Sequence, residues 1–265
     1  MQPRNVSFLI VITLLIGLSH RQSAVAQSES GDIARCNDLV VQRVGEHFKL
    51  SDFSYPRDGM YPSVENGGLV VAGVCKPWPQ DNRRTIAALA YDGRVEYQKE
   101  LLLAIVDSRS GRVIASHKGV IPEDAATEVT STSLGLDTGR YTLSKTTRAF
   151  GLRLNTFRDR CGFEGGFDDE LTLYVVNGGT IRPVLTETML QWRYGNVSRC
   201  NGEEVPRTEA NVSISVEKTS SNGLADLRLA ARRNDGKKAV TAIVKYNGEH
   251  YDLQPWQKVF GAWWE

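Results

Sequence analysis

The chain has 265 residues, 41% of them hydrophobic and 24% charged, and a formal net charge of +1. Near-neutrality without a basic stripe argues against a nucleic-acid binder, which would show a basic face. The length suffices to bury a proper core, and no low-complexity stretch or Pro/Gly/Ser linker divides the chain.

The N-terminus reads as an export signal. Arg4 supplies a positive start, Phe8 to Leu18 is an apolar run, and Ala24-Val25-Ala26 has the small-x-small form that a signal peptidase cleaves. Residues 1–26 are therefore expected to be a signal peptide and residues 27–265 a single β-rich domain. The apolar run is 11 residues long, whereas a helix spanning a bilayer needs about 20. No membrane span is expected after processing, and the expected location is periplasmic or secreted. Removal of residues 1–26 takes away Arg4 and Arg21 and no acid, which moves the net charge from +1 to −1.

Four cysteines, Cys36, Cys75, Cys161 and Cys200, follow the expected cleavage point. An oxidising compartment favours their pairing, and three connectivities are possible. The expected one joins sequence neighbours, Cys36 with Cys75 and Cys161 with Cys200. A zinc site is disfavoured, because no pair has C-x-x-C spacing and no histidine stands within usual ligand reach.

From Ile33 to Phe48, the residues Ile33, Cys36, Val40, Val44 and Phe48 fall three or four apart, with Asn37, Asp38, Gln42 and Arg43 opposite. That spacing predicts a short N-terminal helix over 32–47. The rival is that this segment forms part of a fourth strand unit, since residues 39–50 echo residues 242–253, including Gly-Glu-His.

Strand signals dominate after residue 66. Three stretches look alike, 100–114, 170–184 and 239–253, each a strand, a turn and a return strand. Their turns carry Gly111, Gly178 and Gly248, 67 and 70 residues apart, and tight hairpins need residues that tolerate positive φ. Two further apolar strands precede each hairpin: 69–74 and 85–91, 129–136 and 149–154, 211–217 and 225–231. The expected fold is therefore all-β: about twelve antiparallel strands in three four-stranded hairpin units, as a sandwich or an irregular propeller-like sheet.

The connection between the second and third strands of the middle unit is longer than its counterparts and contains Arg160-Cys-Gly-Phe-Glu-Gly-Gly-Phe-Asp-Asp-Glu170. Elaborated loops on β scaffolds carry binding. Glu164, Asp168, Glu170 and Trp192 are the candidate binding residues. Calcium is disfavoured, because the D-x-D-x-D-G pattern is missing. Asp168 and Glu170 on one strand face would stand about 7 Å apart, within the inverting-glycosidase range, although any exposed strand offers that much. The basic cluster Arg228, Arg232, Arg233, Lys237 and Lys238 is interrupted by Asp226 and Asp235 and reads as a solvated strand face. The aromatic tail, Trp256, Phe260, Trp263 and Trp264, is expected to lie back over the sheet as a cap.

The mature chain holds no H-E-x-x-H, G-x-S-x-G, Walker or G-x-G-x-x-G motif. Catalytic and metal residues, and cofactors, are accordingly not expected. The leading expectation is a non-enzymatic binding or accessory protein of the cell envelope, with an unknown protein or glycan as partner. The alternative is a glycosidase-like or other hydrolase using the acids of 164–170.

The runs Cys75-Lys-Pro-Trp-Pro79, 171–185 and 246–253 together resemble exported bacterial proteins of unknown function whose strand-and-turn segments are similar to integrin-like, or FG-GAP, propeller repeats. The resemblance covers residues 67–254 and consists of hairpin chemistry. It implies a β scaffold and assigns no catalytic residue. The Asp-rich calcium loops of those propellers are missing here, which argues against both calcium and a closed propeller.

Overall fold

The computed structural model describes residues 35–51, 53–57, 68–158, 165–195 and 208–265. All of them fall within one compact unit. The expected signal peptide, Glu164, Cys161 and Cys200 lie outside the described residues.

The elements in chain order are α1 (Asp38–His47), β1 (Val70–Trp78), β2 (Asp81–Tyr91), β3 (Gln98–Asp107), β4 (Val113–Pro122), β5 (Leu134–Asp137), β6 (Ala149–Leu154), β7 (Gly165–Asn177), β8 (Thr180–Tyr194), β9 (Thr208–Ser221), β10 (Leu224–Arg233), β11 (Val240–Val244) and α2 (Gln254–Trp264). The chain is all-β with a short helix ahead of the first strand. Among the described residues eleven strands form one open sheet, ordered β1-β2-β3-β4-β8-β7-β6-β5, with β9 also on β8 and followed by β10 and β11. Every strand-to-strand pairing described is antiparallel except one parallel contact, Ser116 with Thr180, that joins β4 to β8, and a parallel bridge, Ser54 with Leu69, lies outside the strands.

Strands β1–β4 and β5–β8 match the first two expected hairpin groups. The third group differs: β9, β10 and β11 are followed by a tight turn closed by a Tyr246–Tyr251 bridge and then by α2. The expected return strand over 245–253 is thus not formed. Asn247 is the reason, because its side chain accepts from the backbone N–H groups of Glu249 and His250 and so closes the turn on itself. A second difference is that Gly165 to Asp168, expected in a loop, belong to β7.

Three cores separate the layers. Val40, Val41 and Val44 of α1 pack with Phe53 on one face of β1–β3. The other face of β1–β4 meets β5–β8 over Ile86, Leu103, Ile105, Phe150, Leu152 and Ile181. The outer face of β6–β8 meets β9–β11 and α2 over Leu171, Leu173, Leu227, Leu229, Trp256 and Phe260. Ile86 to Ala90 are fully buried in succession because β2 is covered on both faces, whereas β10 alternates Leu227, Leu229 and Ala231 inside with Arg228 and Arg232 outside.

The helices are held by specific contacts. Asn37 caps α1 by accepting from the Val40 N–H at 2.9 Å. Gly45 permits its close approach, since a Cβ there would stand 2.8 Å from the Phe53 side chain. Cys36 is disulfide-bonded to Cys75, with Cα atoms 4.8 Å apart, and this ties the start of α1 to β1. On α2, Trp256, Phe260 and Trp263 recur at helical spacing on the buried face. Arg233 and Lys237 donate to the last carbonyls of α2 and lie over its terminal tryptophan rings, where the helix dipole favours cations.

Replacing Cys36 and Cys75 together by serine opens a span of 39 residues. The expected outcome is a loss of roughly 4 kcal/mol of unfolding free energy by the chain-entropy estimate, read by urea denaturation against the oxidised wild type.

Candidate functional site

The β7–β8 hairpin continues well past its turn at Gly178, pairing Gly165 with Tyr194, Phe167 with Trp192, Asp168 with Gln191, and Glu170 with Met189. β9 joins this end through Gln191 to Tyr194. Three of the four candidate binding residues, Asp168, Glu170 and Trp192, are brought together on this ribbon.

One face is aromatic. Trp192 packs on α2, 5.0 Å from Phe260 and 6.3 Å from Trp264 between ring centroids. Phe167 continues the row at 6.0 Å from Trp192, whereas Phe157, 6.2 Å from Phe167, lies over Gly166 on the Arg193 side of the ribbon, where a Cβ would clash with the Phe157 ring. Beyond α2 the row opens to solvent: Phe167 is 40% exposed and Tyr194 58%. Opposite Tyr194 stands Gly165, where a Cβ would lie 3.0 Å from the Arg193 carbonyl oxygen. Glycine therefore leaves flat backbone beside the Tyr194 ring.

The three adjacent acids have three different surroundings. Asp168 is ion-paired with Arg193 at 3.2 Å, and the same Arg193 nitrogen donates to the Gln191 side chain at 3.2 Å. Burial raises the Asp168 pKa even so, with Arg193 and Arg158 opposing it. Asp169, whose φ of 59° is a left-handed conformation inside a strand, turns toward β6 and pairs with Arg153. Glu170 has no hydrogen-bond or ion-pair partner among the described residues. Burial pushes its pKa up, and the negative charge of Glu187 on β8 adds to that rise. Glu187 is also left-handed, with φ 51°, and exposed.

Chemically the ribbon offers ring faces, an amide and one half-buried carboxyl held without a counter-charge. No group of three or more His, Cys, Asp or Glu is placed to hold a metal among the described residues. A separate cleft of about 760 Å³ lies beside the start of α1, lined by Arg35, Asn37, Asp38, Tyr55 and Arg57, and contains none of the candidate residues. Among the described residues no helix is long and apolar enough to cross a membrane.

Phe167, Gln191, Arg193, Tyr194 and Glu187 were not among the sequence candidates. A partial signal exists: counting outward from the turn at Gly178 places residues 165–168 across from 189–192 on β8, which reaches Gln191, whereas two register shifts in the hairpin bring Arg193 and Tyr194 opposite Gly166 and Gly165 instead. The two bulged acids carry no such mark. The chain matches no protein-family model, no curated protein and no solved structure.

Because the folded protein raises the Glu170 pKa, its ionised form is disfavoured in the fold. That group's favourable contribution is complete below the unfolded-state carboxylate range and is lost as pH rises through the folded pKa. Glu170→Gln is therefore expected to be more stable than wild type near neutral pH, with the two converging only below the unfolded-state carboxylate range, by about pH 3. Urea unfolding of both proteins across that pH range checks it.

Proposed function

We infer that this is a non-enzymatic binding protein, exported to the periplasm or beyond, that holds a glycan of the envelope on the aromatic face of the β7–β8–β9 ribbon. The observation that carries the reading is the pair of open rings, Phe167 and Tyr194, set beside side-chain-free backbone at the end of a row anchored by Trp192. Sugar rings present flat faces of C–H groups that stack on aromatic rings, and a rigid strand scaffold holds such rings without an ordering cost at binding. The signal-like N-terminus and the Cys36–Cys75 disulfide support export into an oxidising compartment.

A hydrolase is the second reading, and Glu170 is the observation that favours it. A half-buried carboxyl with a raised pKa is what a general acid requires, and Glu187 supplies a second carboxylate in its field.

Capture on a glycan array and turnover of the captured glycan separate the two. The Phe167→Ala/Tyr194→Ala double variant is expected to weaken capture by about tenfold or more, equivalent to about 1.4 kcal/mol, while Glu170→Gln binds as wild type does. Unchanged capture by the double variant would reject the stacking face. Turnover abolished by Glu170→Gln would establish the hydrolase instead.

A further inference from the structure

Asp226 is 3% exposed, and its Oδ1 atom is buried with no hydrogen-bond partner among the described residues. It forms no ion pair there either. An ionised carboxylate in the interior without a donor or a counter-charge is strongly disfavoured, so this position calls for a positive partner.

Its surroundings follow from a strand irregularity. On β10, Ala225 pairs with Ser220 and Leu227 pairs with Val216, so Glu217, Lys218 and Thr219 of β9 stand opposite Asp226 alone. The bulge turns the carboxylate inward beside the turn that follows β11. There the Tyr251 hydroxyl donates to the Ala225 carbonyl at 2.6 Å, and the Tyr246 ring lies 5.5 Å from that of Tyr251. Ionisation of Tyr251 is opposed first by burial and then by the negative charge of Asp226, as expected of neighbours.

Among the described residues, the cations near this turn are directed elsewhere. Arg182 donates to the Tyr246 hydroxyl at 2.7 Å and to the Glu249 carbonyl at 2.9 Å. Lys218 and Lys245, the lysines nearest along β9 and after β11, are exposed. The oxygens placed beside Asp226 are the carbonyl of its chain neighbour Ala225 and the Tyr251 hydroxyl that donates to it and keeps its lone pairs free, while the Asn222 amide nitrogen is taken by the Tyr246 carbonyl. Hard oxygen donors without nitrogen or sulfur suit alkali and alkaline-earth ions rather than transition metals. A single buried negative charge is balanced by a single positive one, which selects the monovalent ions.

We propose that Asp226 anchors one alkali cation, sodium or potassium, beside the Ala225 carbonyl and the Tyr251 hydroxyl in the β9–β10 bulge. The site is independent of the glycan face, and glycan binding is not its readout.

The test is the thermal midpoint of the processed protein in sodium chloride, potassium chloride and tetramethylammonium chloride at equal ionic strength. The bulky organic cation screens surface charge without entering the site. At a tenfold excess over the dissociation constant, an alkali ion is expected to raise the midpoint by about 4 °C over tetramethylammonium. Asp226→Asn is expected to abolish that difference. Equal midpoints of the wild type in all three salts overturn the proposal, as does a difference that persists in Asp226→Asn. Should that variant fail to fold, Tyr251→Phe removes one oxygen and keeps the ring. It is expected to at least halve the difference, and an unchanged difference is again a rejection.

Discussion

The β7–β8 hairpin is buried on both faces, and two of the three cores depend on that. Strand alternation sends Leu171, Leu173 and Val175 toward β9–β11 and α2, and Tyr174 toward β1–β4. β8 answers with Val184 and Leu185 on the first side and Ile181 on the second. Full burial of a side chain of this size contributes about 1.5–3 kcal/mol, so the hairpin concentrates stabilisation where the layers meet. Register is strongly specified as a result, because a slip of one residue would exchange the two faces and put each set of side chains into the wrong core.

That constraint positions the candidate site. The turn at Asn177-Gly178 ends the hairpin on one side, and at the other end Trp192 still packs on α2 while Phe167 and Tyr194 are open. There, adjacent acids are sorted by neighbours. Arg193 of β8 takes Asp168, Arg153 of β6 takes Asp169, and Glu170 is left against burial and Glu187. The left-handed residues Asp169 and Glu187 mark where the ladder departs from regular pairing, and such bulges re-aim side chains. The aromatic face has the same logic. α2 covers Trp192 and stops before Phe167 and Tyr194, so the open rings are the continuation of a packed row rather than a loose surface patch.

The two helices close the outer layers by different means. α1 is polar on one side and is held by a covalent tie, Cys36 to Cys75, together with an asparagine cap. α2 is held by its aromatic face and by Arg233 and Lys237 at its C-terminal carbonyls. The basic cluster that reads as a solvated strand face in the sequence is thus divided. Arg228 pairs with Glu217 on the strand surface, whereas Arg233 and Lys237 fasten the terminal helix.

Much of the scaffold was legible in the residues themselves. Helical spacing located α1, and apolar runs bounded by Gly, Asn and Asp located all eleven strands of the described residues, because periodicity and turn chemistry act over a few neighbours. The same rule misled at 245–253, where the turn at Asn247-Gly248 is real but the chain beyond it enters a helix. Trp256, Phe260, Trp263 and Trp264 already carried the helical spacing. Other outcomes belong to the tertiary structure alone: which arginine meets which acid, the burial of Asp226 without a partner, the exposure of Phe167 beside a packed Trp192, and the crossing from β4 to β8. Sequence determined the elements, since each is selected by local backbone preference and by one apolar pattern. Only the fold decided what stands opposite them, since those contacts join residues tens of positions apart, and their burial and charge exist only once the layers have closed.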